Sequence, residues 1–324
     1  MTETTLANDS VQTFTESKLR DVIRQRLNLR GDLCLTRTPT GKFNDTFFLD
    51  GPDTGNPLVV RIAPPEDRGQ MLFYEHMMMR QEPHLHRLLR ANTSMPVPEI
   101  IHFEERNEDL GRDLMVMERL PGGPMEADDE NLMEELGRKL REVHERIRAE
   151  PGCYGYLGAH RPMEPQETWD GAFRVMWNAL LDDIENCGGE SVEQIGQWRE
   201  LLEKHAGSFK LYQSPARLLH MDIWSQNILT DGNGCLTGLV DWDRALWGDP
   251  EIEFAVLEYC GISTPSFWRG YGEPRPSGRD ANVRRQFYLL YEILKYIVIR
   301  IARNQDSAGA ERFRVMARRL LAQL

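Results

Sequence analysis

The sequence predicts an α+β protein of two lobes, a small β-rich N-terminal lobe and a larger, mostly helical C-terminal one. Three observations carry this. The first third holds short apolar runs of strand length broken by Gly and Pro. The run Pro121-Gly122-Gly123-Pro124 then interrupts the chain. Beyond it, apolar residues recur mostly at helical spacing. The boundary is placed after Leu120, giving lobes of residues 1–120 and 121–324. A chain of 324 residues suits two domains at roughly 150 residues each.

Taken in order, residues 1–13 are polar and read as a loose tail. Residues 15–29 place Leu19, Val22, Ile23 and Leu27 on one helical stripe. Strands are expected at 33–36 and 45–49, around the Gly-containing turn TPTGKF, and at 58–63, which Pro64-Pro65 stops. Residues 68–89 read as a helix with an interruption at Pro83, and 99–103 and 114–120 as strands. In the second lobe, helices are expected at 131–148, 168–186, 193–205, 282–303 and 311–323. Residues 218–249 form a β-rich interruption among them.

Composition narrows the function. Apolar residues make up 40% of the chain, enough for a sizeable core. The net charge of −12 argues against nucleic-acid binding, which needs a basic face, and suits a cationic or metal-bound substrate. No apolar run reaches membrane-spanning length and the N-terminus has no signal-like apolar region. The five cysteines are scattered without a CxxC pair, so neither a disulfide framework nor a zinc site is indicated. The expectation is a soluble cytoplasmic protein with no membrane partner. No sequence feature sets an oligomeric state.

The chemistry concentrates in residues 218–250, LLHMDIWSQNILTDGNGCLTGLVDWDRALWGDP. Asp222 and Asn227 lie five residues apart after an apolar pair. A DGNG turn between two apolar runs signals a hairpin, and the second run ends in Asp241-Trp242-Asp243. Such a hairpin brings Asn227 close to Asp241, with Asp222 on the loop beside them. A carboxylate and an amide oxygen suit Mg²⁺, and another carboxylate can take the proton of an attacking hydroxyl. Asp243 is compatible with a place in the metal site or with a capping role.

This stretch resembles the aminoglycoside phosphotransferase family of small-molecule kinases, relatives of the protein kinases. His220-Met221-Asp222, Asn227, Val240-Asp241-Trp242-Asp243-Arg244-Ala245 and Gly248-Asp249-Pro250 follow the family's order, with Met221 in place of its usual Gly. Thr40-Gly41-Lys42-Phe43-Asn44-Asp45-Thr46 resembles its nucleotide loop, and Val59-Val60-Arg61-Ile62 the strand bearing its phosphate-binding cation. Pro96-Val97-Pro98 and Met117-Glu118-Arg119-Leu120-Pro121-Gly122 resemble two further landmarks. The resemblance implies a bilobal protein-kinase-like fold, Mg²⁺, and ATP or GTP as co-substrate. It assigns the catalytic base to Asp222 and the metal to Asn227 and Asp241. Gly41, Asn44 and Arg61 would hold phosphates, Glu75 would pair with Arg61 from the next helix, and main-chain groups of Glu118 to Leu120 would face the adenine. His220 would orient the loop and Asp249 brace it, while His144, beside a Leu/Val stripe, reads as a core or boundary residue.

The acceptor implied is a small-molecule hydroxyl, first an aminoglycoside-like, amine-bearing compound. Choline, fructosamine, homoserine and methylthioribose are the alternatives, and a nucleotide-binding pseudokinase is a rival outside catalysis. Trp169, Asp170, Trp177, Asp182, Asp183 and Glu185, with Glu251, Glu253 and Glu258, could form a cation-binding acceptor site. Helix-surface charge is the competing explanation for these acids.

Overall fold

A computed structural model describes residues 14–38, 43–65, 72–210, 212, 214–231 and 233–324. The chain divides into two compact units, Met1–Arg68 with Pro98–Arg119, and Gly69–Val97 with Leu120–Leu324. Segment Gly69–Val97, which the sequence reading assigns to the first lobe, thus clusters with the second unit.

The first unit contains helix α1 (Glu16–Leu27) and strands β1 (Cys34–Arg37), β2 (Asp45–Asp50), β3 (Leu58–Ile62), β4 (Ile100–Asn107) and β5 (Arg112–Glu118). They form one antiparallel sheet in the order β1-β2-β3-β5-β4. The Thr15 hydroxyl caps α1 by accepting the Lys18 N–H. Leu19, Val22 and Ile23 of α1 share a core with Phe47, Leu49, Val60, Ile62, Leu114 and Val116, one alternating face of the central strands. All five residues of β3 are buried, so its other face is covered too. Arg61 lies on that other face, opposite Thr46 of β2 and Met115 of β5. Asp45 is buried between Arg37 (2.5 Å) and Arg112 (2.6 Å).

The second unit is helical with small sheets set into it. Its elements are α2 (Glu82–Asn92), β6 (Gly123–Pro124), α3 (Glu130–Arg146), α4 (Trp169–Asn186), α5 (Val192–His205), β7 (Arg217–Leu219), β8 (Ile228–Thr230), β9 (Leu236–Leu239) and β10 (Leu246–Gly248), then α6 (Pro250–Tyr259), α7 (Pro265–Tyr271), α8 (Arg279–Val298) and α9 (Ser307–Leu321). Strands β6, β8 and β9 form one sheet, and β7 pairs with β10 in another. Asp129, Thr168, Ser191, Asp249 and Thr264 cap the helices that follow them. Phe173 and Trp177 of α4 pack edge-on or tilted against Phe287, Tyr288 and Tyr291 of α8, which makes α8 the aromatic spine of the unit.

Three elements differ from expectation. The helix expected over 68–89 begins only at Glu82; residues 72–77 form turns and Met78–Gln81 a 3-10 turn. Pro83 is the cause, because proline lacks an N–H and fits only the first turn of a helix. Helices α6 and α7 were not foreseen, although each follows a capping residue and opens on proline, at Asp249-Pro250 and Thr264-Pro265.

Helices α3 and α7 approach backbone to backbone. A Cβ at Gly137 would lie 2.2 Å from Phe267 O, and one at Gly270 only 1.9 Å from Glu134 O. Gly137→Ala is therefore expected to force the helices apart and destabilise the fold by about 1–3 kcal/mol. A lower urea midpoint at unchanged slope is the expected result.

Candidate active site

Strand β7 delivers the chain into His220-Met221-Asp222, and the β8–β9 hairpin returns it beside that loop. Asn227 stands immediately before β8 and Asp241 two residues after β9. The Val240 N–H donates to Asn227 O at 3.0 Å, and the Asn227 amide nitrogen donates to Asp222 O (2.8 Å) and Asp222 Oδ2 (3.1 Å). The hairpin thus gathers Asp222, Asn227 and Asp241 into one neighbourhood. With its nitrogen spent on Asp222, Asn227 has its amide oxygen as the atom to offer a metal.

Buried charges on both sides hold the loop. Glu253 Oε1, on α6, accepts the N–H groups of His220 (2.6 Å) and Met221 (2.7 Å). Its Oε2 meets His144 Nε2 at 2.8 Å, and His144 Nδ1 meets the Tyr271 hydroxyl at 2.9 Å. From the other side, Arg244 Nη1 donates to Met221 O at 2.7 Å and lies 3.7 Å from Asp222 Oδ1. Its Nη2 pairs with Glu292 (3.0 Å), which pairs in turn with Lys295 (2.6 Å). Met221 has φ +65, a conformation easiest for glycine, and these two clamps grip its own N–H and C=O. His220 Nε2 donates to Val240 O (2.9 Å) and Nδ1 accepts the Asp222 N–H (3.2 Å), so the neutral ring orients the loop.

Asp241 takes a left-handed conformation, φ 69 and ψ 61, and starts the 3-10 turn Trp242–Arg244. Its carboxylate lies with those of Asp243 and Glu82 in a group whose oxygens fall within 4.8 Å of one another. Glu82 is wholly buried at the start of α2. It went unrecognised in the sequence, although Pro83 marks the helix start and so makes Glu82 its first-turn acid. An all-oxygen donor set of this charge fits Mg²⁺.

The other expected residues fall as follows. Glu75 sits in a turn, not on a helix, because the helix starts seven residues later at Glu82. Its carboxylate accepts the Leu72 N–H (2.8 Å) and pairs with Arg303. Asn44 and Arg61 are buried in the first unit, and Gly41 lies outside the described residues. The N–H groups of Glu118 and Arg119 are bonded to Glu99 O and Pro57 O, both at 2.9 Å. Carbonyls and the Leu120 backbone are therefore what that segment can offer a base.

Most of the acids expected around the acceptor pair with other residues of the chain, whereas Asp170 borders an open pocket with Glu167, Lys210 and Tyr212. Asp182 pairs with Arg199, Glu251 with Arg284, and Glu258 with Arg275 and Arg285. Glu253 clamps the loop, and Trp169 and Trp177 are core residues. Asp183 accepts the Phe73 N–H (2.7 Å), and burial raises its carboxyl to about 6. Asp249 caps α6 and accepts from the Tyr288 hydroxyl (3.0 Å), a bracing role, and burial raises it to about 7. Beside the loop lies an aromatic group: Tyr74 stacks on Tyr156 (5.3 Å between centroids), His160 meets Tyr156 edge-on, and Arg244 lies 5.3 Å over Tyr74. Burial pushes His160 down to about 4, and neither ring nitrogen has a partner.

Two outcomes follow from this geometry. Glu253→Ala leaves two buried N–H groups unpaired, at about 1–3 kcal/mol each. Urea unfolding should show that loss, and Glu253→Gln, which keeps one acceptor oxygen, should lose less. The second concerns pH. His160 binds a proton more readily unfolded, near 6.5, than folded, near 4. Stability should therefore be full above the unfolded value and fall as pH drops through this window, by up to about 1.4 kcal/mol per pH unit. His160→Gln should flatten that slope in melts between pH 4 and 7; an unchanged slope would assign it to other groups.

Comparison with known proteins shows which proteins the chain is similar to. A sequence model of the phosphotransferase enzyme family matches residues 35–288. A probable ketoamine kinase of Vibrio vulnificus is 28% identical over 220 residues, 65% of this chain and 70% of its own length. A putative fructosamine-3-kinase from Haemophilus somnus superposes with a TM-score of 0.69 at 17% identity, over 95% of this chain and 97% of that one. A thermostable variant of aminoglycoside phosphotransferase APH(4)-Ia, in ternary complex with AMP-PNP and hygromycin B, gives 0.67 at 18% identity, over 94% and 98%. The structural likenesses establish the protein-kinase-like fold, a small antiparallel sheet unit and a helical remainder. The family match spans most of the chain and takes in the whole loop and hairpin from His220 to Asp241, so the chain belongs to this phosphotransferase family and is a kinase acting on a hydroxyl group.

Proposed function

We propose that this kinase transfers the γ-phosphoryl group of ATP or GTP to a hydroxyl of a small polyhydroxylated amine of the ketoamine type. The observation that carries the reaction is the Asn227 amide bonded to the Asp222 carboxylate at 3.1 Å, on a loop clamped by Glu253 and Arg244. Asp222 Oδ1 is the base that receives the acceptor proton. Asn227 holds the other oxygen, which fixes the carboxylate's rotation. Arg244 places a positive charge 3.7 Å from Asp222 Oδ1 and helps hold that oxygen in place. Asn227 and Asp241 would hold Mg²⁺, which when bound neutralises charge on the phosphates. Arg61, always charged, is the proposed phosphate-binding cation, and the backbone at Glu118 to Leu120 the adenine contact. Catalysis then comes chiefly from positioning and charge neutralisation.

The ketoamine reading rests on the Vibrio vulnificus relative and on the internal pairing of the acids. A polycationic acceptor would need those acids unspent. An aminoglycoside is the second reading, favoured by the likeness to APH(4)-Ia. A coupled ADP-release screen over fructosamines, aminoglycosides, choline, homoserine and methylthioribose separates the two. Asp222→Ala should lower kcat at least ~100-fold with nucleotide affinity nearly intact. Asp241→Asn should abolish Mg²⁺-dependent turnover. Nucleotide binding without ADP release on any acceptor would instead mark a pseudokinase.

A further inference from the structure

Gln81 is the last residue of the 3-10 turn Met78–Gln81 and directly precedes Glu82. Its side chain is 2% exposed. Its amide nitrogen donates to Asp243 O at 2.5 Å and approaches Ala245 O at 3.4 Å. Two carbonyls facing one end of the amide decide which end is nitrogen, since an oxygen there would be repelled. Gln81 Oε1 has no hydrogen-bond partner, so the amide's directed contacts all go to the turn that carries Asp243 and follows Asp241.

We infer that Gln81 is a positioning residue for the divalent-cation site: it latches the start of α2 to the Asp241–Arg244 turn, and Gly158 supplies the space the latch occupies. The inference rests on the phosphoryl-transfer reading above and goes beyond it. The carboxylate oxygens of Glu82, Asp241 and Asp243 lie within 4.8 Å of one another, so the candidate cation site spans the start of α2 and the turn, and a cation there requires the two to keep one register. A glutamine does this without adding charge. Glutamate would add a fourth carboxylate and no donor, and lysine would compete with the cation. Gly158 closes the argument from the far side. A Cβ there would stand 2.5 Å from Gln81 Oε1 and 2.7 Å from Gln81 Cβ, so any larger residue displaces the latch.

The test is calorimetric titration of Mg²⁺ into the full-length protein with AMP-PNP, beside the Mg²⁺ dependence of kcat and the melting temperature of the ligand-free protein. Gln81→Met keeps the length of the side chain and removes the donor. It should raise the half-saturating Mg²⁺ about 10-fold, with kcat recovering at high Mg²⁺ and the acceptor KM unchanged. Gly158→Ala should do the same from the opposite side, and the double variant should be little worse than either single one, because both break one tie. If Gln81→Met does not fold, Gly158→Ala and Gln81→Asn, whose amide is one methylene too short, carry the same expectation. Mg²⁺ dependence within twofold of the wild type in these variants, or additive effects in the double one, overturns the inference. Absence of Mg²⁺-dependent AMP-PNP binding in the wild type overturns the phosphoryl-transfer reading itself, which separates the two failures.

Discussion

The wholly buried Glu253 carboxylate on α6 accepts two consecutive backbone N–H groups, those of His220 and Met221, and faces His144 with its other oxygen. A carboxyl group in the interior is tolerated when its oxygens find hydrogen-bond partners, and here backbone and imidazole supply them. Because the two N–H groups belong to the residues just before Asp222, fixing them fixes where the Asp222 side chain leaves the backbone. The left-handed Met221 is the result: the loop takes a conformation costly for a residue with a side chain because charged partners hold its N–H and its C=O.

The charge on the far side of the loop is balanced in the same way. Arg244, Glu292 and Lys295 form a buried chain of alternating sign that ends at Asp222. Burial lowers the Lys295 ammonium, since desolvation disfavours the charged form. Cys260, close to the same charges, is pushed up to about 12 by burial and is held as an unreactive thiol. The chain ties the His220–Asp222 loop to α8, which is also the aromatic spine of the unit.

The acidic surplus reads differently once its partners are known. A net charge of −12 invites a cationic substrate, yet Asp182, Glu251 and Glu258 each face an arginine on a neighbouring element. The exposed Asp182–Arg199 pair adds little stability, but all three pairings remove carboxylates from any acceptor. Three further carboxylates, those of Glu82, Asp241 and Asp243, bring their oxygens within 4.8 Å of one another.

Asp222, Asn227 and Asp241 are legible in the sequence because one loop and one hairpin set their spacing, and a DGNG turn announces the hairpin. The strand and helix patterns, and the two-part architecture they imply, are likewise local properties of the chain. The start of α2 is legible too, in Pro83, although the apolar pattern of residues 68–89 suggests a longer helix. What the tertiary structure alone decided are contacts distant in sequence. Glu253 meets His220 across 33 residues, Arg244 meets Glu292 across 48, and Gln81 meets Asp243 across 162. Their residue types are those of any solvated helix face. Only burial, which strips water from a charged or polar group and obliges it to find a partner, distinguishes a clamp from a surface acid, and burial is a property of the folded chain.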